Sequence, residues 1–256
     1  MKKNFLFPAV IALVVLFSSC QKGADNDLPQ PTQGLKLKTV TEDVRSNGPL
    51  GNSVTTYNFS YDGSDRMTSM VDASNAGNKF VFAYPSSSKY TMDIFGDNIF
   101  IIHADYFLNS NSMLDSSFQY NDSDTITEKY IYNPAKQLTK FYEYDYSKLT
   151  GSDLWNTTTY TYDGAGDLVK SEDTDDYVYT YEYYTDKLVL MPQMMPFSSG
   201  SNQKAHLPKK VTLTESGTET ASATYTYTFD SKDRVSTVRQ DYSDGDVVIK
   251  TYTYFD

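Results

Sequence analysis

A single cysteine among 256 residues excludes a disulfide framework, so this chain must be held by packing and sheet pairing. Only two histidines are present, His103 and His206, and neither belongs to a metal-spaced or nucleophile-bearing motif. No serine lies in GxSxG and no glycine-rich phosphate loop is found, so the commonest hydrolase and nucleotide signatures are missing. The 22 Lys and Arg are outnumbered by 33 Asp and Glu, a net charge of −11, and no basic cluster stands out. A phosphate backbone is bound by such clusters, which argues against nucleic acid as a partner and predicts solubility instead. Helical periodicity is lacking beyond the first residues, and the one long apolar run stands at the N-terminus.

That run extends from Phe5 to Phe17 after Lys2 and Lys3, and is followed by Ser18, Ser19 and Cys20. A membrane-spanning helix needs about 20 apolar residues, so this run is too short, and its flanks match an export signal. The segment resembles a bacterial lipoprotein signal, with Leu16-Phe17-Ser18-Ser19-Cys20 where the lipobox belongs and Leu16 one place further from the cysteine than usual. The resemblance implies that the mature chain begins at an acylated Cys20 and is held to a membrane surface without crossing it. An ordinary secretory peptide is the other reading, against which stands a lone cysteine placed at the end of the apolar run. Gly23, Asp25, Asn26, Asp27, Pro29 and Pro31 then mark a flexible tether. The expected organisation is a signal over 1–20, a tether over 21–38 and one domain over 39–256. The expected address is the cell envelope, at the outer membrane, with the leaflet left open.

Within the domain one phrase recurs: YDGSDRM at Tyr61, YNDSDTI at Tyr120, YNPAKQL at Tyr132, YDGAGDL at Tyr162 and FDSKDRV at Phe229. An aromatic residue precedes an apolar one by six positions, with turn formers between, which reads as strand–turn–strand. Looser copies are YPSSSKY at Tyr84 and YYTDKL at Tyr183. The 23 tyrosines and 14 phenylalanines fall at alternate positions, as in Tyr57-Phe59-Tyr61, Tyr177-Tyr179-Tyr181-Tyr183 and Tyr225-Tyr227-Phe229, and so share one face of each strand. Strands are predicted near 53–61, 66–72, 78–84, 90–95, 98–107, 114–120, 125–132, 137–146, 154–162, 167–172, 177–184, 187–191, 207–215, 221–229, 234–242 and 247–255. The fold class is all-β, an antiparallel meander of hairpins forming a large curved sheet or a barrel-like shell, open or closed.

The turn phrase resembles the YD repeats of Rhs-type toxins and teneurins, usually YDxxGRL, on Tyr61-Asp62 with Arg66-Met67, Tyr162-Asp163 with Gly166 and Leu168, and Phe229-Asp230 with Arg234-Val235. With its lipobox, tether and hairpins the whole chain resembles envelope lipoproteins of unknown function with a porin-like, many-stranded β fold. That resemblance implies topology and location and brings no activity with it.

Candidate sites are few. Aspartates recur in turns, as in Asp62-Gly63-Ser64-Asp65 and Asp244-Gly245-Asp246, where tight turns need them and where calcium would need more oxygens in a set order. The only tryptophan, Trp155, stands beside Asp153 and Asn156 with Tyr160 following, and is the candidate platform for a glycan, sugar rings stacking on aromatic faces while Asp and Asn bind hydroxyls. Packing at a strand edge is its alternative reading. The stretch 191–204, with Met194, Met195 and Phe197, is either an adaptable contact loop or a plug for one end of the sheet. No catalytic residue, cofactor or metal is expected, and the partners expected are the membrane through Cys20 and an extracellular glycan or protein. A noncatalytic binding or scaffolding lipoprotein leads, ahead of a membrane-spanning barrel and a hydrolase of surface polymers.

Overall fold

A computed structural model describes residues 36–46, 48, 51–120, 125–145, 153–189 and 205–256. Sixteen strands follow one another: β1 Leu37–Arg45, β2 Ser53–Tyr61, β3 Met67–Asp72, β4 Lys79–Ser86, β5 Lys89–Gly96, β6 Ile99–Leu108, β7 Leu114–Tyr120 and β8 Thr125–Tyr132 form the first half. The second half is β9 Leu138–Asp145, β10 Asp153–Tyr162, β11 Leu168–Glu172, β12 Tyr177–Val189, β13 Ala205–Glu215, β14 Thr218–Phe229, β15 Val235–Tyr242 and β16 Val247–Tyr254. Each strand pairs antiparallel with the next, and β1 pairs with β16, so the meander closes into a barrel. No helix occurs among the described residues.

Alternation along the strands decides what fills the barrel. Registers carry the inward side chains from strand to strand: Val40 faces Tyr252 and Tyr57, Phe59 faces Met70, Phe82 faces Met92, Tyr90 faces Tyr106, Tyr227 faces Val238. These residues form one continuous buried cluster. The intervening positions on β1, β14 and β16, such as Thr39, Thr226, Thr228, Thr251 and Thr253, look outward, and the Thr39 and Thr253 hydroxyls meet across the β1–β16 pair at 2.6 Å. The aromatic face inferred from the sequence is therefore the inner wall over most of the barrel.

The turn phrase has one geometry. In YDGAGDL, Asp163 Oδ1 accepts the amides of Ala165, Gly166 and Asp167 at 2.8, 2.8 and 2.9 Å, and the Asp163 amide returns to the Asp167 carbonyl. Asp62, Asn133 and Asp230 play the same part, and the fourth residue of each loop takes a positive φ: Asp65 63°, Lys136 63°, Gly166 95°, Asp233 59°. This is the place of the glycine in YDxxGRL, and glycine is the residue for which that conformation costs least. Asn109–Met113 repeats the geometry with Leu108 where the aromatic would stand, which hid it in the sequence. YYTDKL, by contrast, is no turn. There β12 runs on through a register irregularity between Tyr184 and Leu188, merging the two strands predicted at 177–184 and 187–191. The turn of YNDSDTI and the stretch 191–204 fall wholly or in part outside the described residues.

These turns gather at one end of the barrel, and the phrase residues close it. Leu37, Met67, Leu114, Leu138, Leu168, Leu207 and Val235 are all buried there. Tyrosine hydroxyls lock them: Tyr84 donates to the Met67 carbonyl at 2.8 Å, Tyr162 to Leu138 at 2.7 Å, Tyr183 to Leu168 at 2.8 Å and Tyr254 to Val235 at 2.6 Å. In these four cases a tyrosine of one strand ties down the first apolar residue of the strand before it. Arg66 and Arg234 lie over the Tyr84 and Tyr254 rings while paired to Asp62 and Asp230.

One strand went unpredicted. β1 begins at Leu37, inside the stretch read as tether, and its inward positions are Val40, Glu42 and Val44. The charged Glu42 breaks the apolar alternation on which strand recognition rests.

Lys136→Gly should raise the unfolding free energy by about 0.5–1 kcal/mol, because a lysine at positive φ is strained where glycine is not. Tyr162→Phe should lower it by about 1 kcal/mol, the net worth of one hydrogen bond, with the ring packing kept. Denaturant titrations check both, as shifted midpoints at constant slope.

Candidate functional site

Away from the plugged end the inner wall turns polar, and two pairs of ionisable groups face inward there. On β1 and β16, Glu42 lies opposite Lys250, Nζ to Oε2 3.2 Å. Lys250 is 2% exposed, and the neighbouring inward groups are Tyr57, Tyr242 and Gln240, the last accepting the Tyr242 hydroxyl at 3.0 Å. Burial lowers the Lys250 ammonium below its ordinary value, against which Glu42 acts through its charge and hydrogen bond.

The second pair is of like charge. Glu128 on β8 and Glu143 on β9 are direct register partners, flanked inward by Tyr130 opposite Phe141. Glu128 Oε2 accepts the Tyr130 hydroxyl at 2.7 Å and the hydroxyl of Ser117, its partner on β7. Glu143 Oε2 accepts Asn156 Nδ2 at 3.0 Å, and Asn156 Oδ1 takes the Thr174 hydroxyl at 2.8 Å. Burial first and then the Glu128 charge push the Glu143 carboxyl up, with Asn156 pulling the other way and Asp173 adding to the rise. Tyrosines bound the pair: burial and Glu128 raise Tyr106 and Tyr130, and burial, Tyr181 and the two glutamates raise Tyr160. A carboxylate at Glu128 thus opposes ionisation of the Glu143 carboxyl beside it. The arrangement sets two carboxyls side by side, held by two hydroxyls and an amide, in an aromatic surround.

The residues singled out from the sequence part company on β10. Asn156 and Tyr160 turn inward, Asn156 to Glu143 and Tyr160, 8% exposed, into the core. Trp155 is 60% exposed, since it is the extra residue of a bulge between Leu154 and Asn156. Asp153 pairs with Asp145 through the backbone at the start of β10. Alternation and the bulge thus separate Trp155 from Asn156 and Tyr160. Cys20 lies outside the described residues. His103 sits on the outer wall between Asp93, 2.5 Å from Nδ1, and Asp105, 3.3 Å from Nε2, and His206 Nδ1 meets Asp167 at 2.6 Å. Among the described residues no three His, Cys, Asp or Glu side chains gather as a metal site.

The inner glutamates escaped sequence reading because tyrosines distract from them. In Phe141-Tyr142-Glu143-Tyr144 the alternation takes Phe141 and Glu143 inside and leaves both tyrosines on the other face. On the outer wall, Phe107, Phe118, Tyr120 and Trp155 are exposed over β6 to β10, with the aliphatic Ile131 among them, an aromatic arc that the threonine-faced strands lack.

No family model matches this chain, and no curated protein matches it. Solved structures do. A porin-like protein from Bacteroides uniformis ATCC 8492 superposes with a TM-score of 0.62 at 13% identity, over 89% of this chain and 100% of that one. A porin-like protein from Bacteroides vulgatus ATCC 8482 follows with a TM-score of 0.56 at 10% identity, over 86% and 99%. At such identities the likeness is one of fold: the closed, many-stranded barrel is shared.

Glu143→Gln should stabilise the barrel increasingly as pH rises. A carboxyl raised in the folded state holds its proton more tightly there than when unfolded, so folding loses free energy as pH climbs from the unfolded value, near 4.5, through the folded one. Glutamine keeps the acceptor for Asn156 and removes that loss. Unfolding free energies of both proteins between pH 4 and 8 should diverge, the variant being the more stable at the upper end.

Proposed function

We propose that this chain is a noncatalytic binding or scaffolding lipoprotein of the bacterial cell envelope, held at the outer membrane by lipid on Cys20 and not by its strands. The observation that carries this reading is the sidedness of the wall. A spanning barrel turns an apolar band about 25 Å tall outward and keeps its polar residues inside. Here the inner face holds the apolar and aromatic cluster, while the outer face carries threonines and the ion pairs Asp43–Arg45 and Arg239–Asp241. Charges at those places would be costly against lipid and are at ease in water.

The path of the chain supports the same arrangement. Lys36, just before β1, accepts the Phe255 amide at the plugged end, so a tether from Cys20 reaches the barrel there. The polar half of the interior, with Glu42, Lys250, Glu128 and Glu143, then points away from the membrane. A surface glycan-binding lipoprotein is the second reading, favoured by the exposed aromatic arc over β6 to β10, Trp155 above all.

The test is fractionation of the full chain carrying Cys20→Ala. It should fold, lose lipid labelling and stay in the supernatant without detergent after the envelope is pelleted. A variant that still pellets with membranes and needs detergent for release would contradict the reading. A glycan array of the soluble variant, with Trp155→Ala beside it, separates the glycan reading from other binding.

A further inference from the structure

In this meander every neighbouring pair of strands but one is consecutive in the chain. A hairpin turn sets the register of its strands, as the turn phrase does wherever it recurs. The seam between β1 and β16 joins the two ends of the barrel, where Thr39 and Thr253 stand 214 positions apart, so no turn can set it. Its register must come from side chains.

Most of those side chains do not discriminate. Outward, Thr39 faces Thr253 and Thr41 faces Thr251, and a slip of two residues would bring threonine against threonine again. Inward, Val40 faces Tyr252 and Val44 faces Val248, and any of these four packs acceptably against the others. Such a slip keeps every side chain on its own face, so alternation does not forbid it. At the rims, Ser46 donates to Asp246 at 2.7 Å and the Phe255 amide to the Lys36 carbonyl at 2.9 Å, bonds that water or a neighbouring group can replace. Between them lies Glu42 opposite Lys250, and among the described residues Lys250 is the most deeply buried charged side chain.

We propose that the Glu42–Lys250 pair is the register pin of the barrel's closing seam, retained to specify a single closure. A slip of two would set Glu42 against Val248 or Tyr252 and Lys250 against Val40 or Val44, leaving the buried Lys250 charge apart from its half-buried partner. Stranding a buried charge costs far more than exposed hydrogen bonds return, whereas replacing both partners by apolar residues is often neutral or stabilising. The pair therefore acts by excluding wrong closures, the best attested use of a buried polar contact. Burial lowering the Lys250 ammonium agrees with a lysine kept for its partner and not for solvation.

The experiment reads register by cross-linking, in the full chain with Cys20→Ala. Cysteines at Thr39 and Thr253 report the native seam, and the combinations Thr39 with Thr251 and Thr41 with Thr253 report slips of two in either direction. With Glu42 and Lys250 intact, mild oxidation should link the first pair at least tenfold more than either slipped pair. In the Glu42→Leu, Lys250→Met background, slipped products should rise at least fivefold while cooperative unfolding is kept, and the reversed pair Glu42→Lys, Lys250→Glu should restore the native ratio. Native-only linkage in the Leu/Met background would overturn the proposal. Should that background not fold, the reversed pair decides: native linkage upholds the pin, and slipped linkage or failure to fold refutes it.

Discussion

Everything in this protein depends on a wall one strand thick that has to fill its own inside. The described residues include no helix and no second sheet, so the core consists of whatever the sixteen strands turn inward. A barrel of this many strands has a wide bore that small side chains leave empty. Tyrosine meets that need with a large ring and a hydroxyl that still demands a partner when buried. At the plugged end the partner is a backbone carbonyl of the preceding strand, so the residue that fills the barrel also fastens neighbouring hairpins to one another.

That economy shapes function as well as stability. With most rings and aliphatic residues inside, threonines and ion pairs take much of the outside, apart from the exposed arc over β6 to β10. One end is consumed by packing, and the other is free to hold ionisable groups. There Lys250 answers Glu42 across the seam, while Glu128 and Glu143 face one another with hydroxyls and an amide as their supports. The first pair joins opposite charges, while the second sets two acidic groups face to face, with burial and Glu128 both pushing the Glu143 carboxyl up.

Much of this was legible in the residues, and the reasons differ from place to place. The phrase at Tyr162 could be read because its aspartate, glycine and flanking aromatics each obey a local rule: carboxylate to amides, glycine to positive φ, alternate rings to one face. Its counterpart at Leu108 could not, since there the aromatic is absent although the loop is the same. β1 was hidden by the inward Glu42, and the bulge in β12 passed for a turn because Thr185, Asp186 and Lys187 are turn formers by composition. The candidate platform failed to assemble for a related reason. A bulge at Trp155 shifts the alternation by one residue, and no local preference in Leu154-Trp155-Asn156 announces it.

By itself the sequence determined that the chain is a succession of antiparallel hairpins with rings on one side, because those properties follow from periods of two and six that neighbouring residues impose on one another. Closure, and hence which side is inside, was decided only in three dimensions, since β1 and β16 recognise each other across the whole length of the domain. So were the meeting of Glu42 with Lys250 and of Glu128 with Glu143. A side chain's burial and its ionisation depend on what the opposing strand presents, and register between strands is a long-range property that no local stretch encodes.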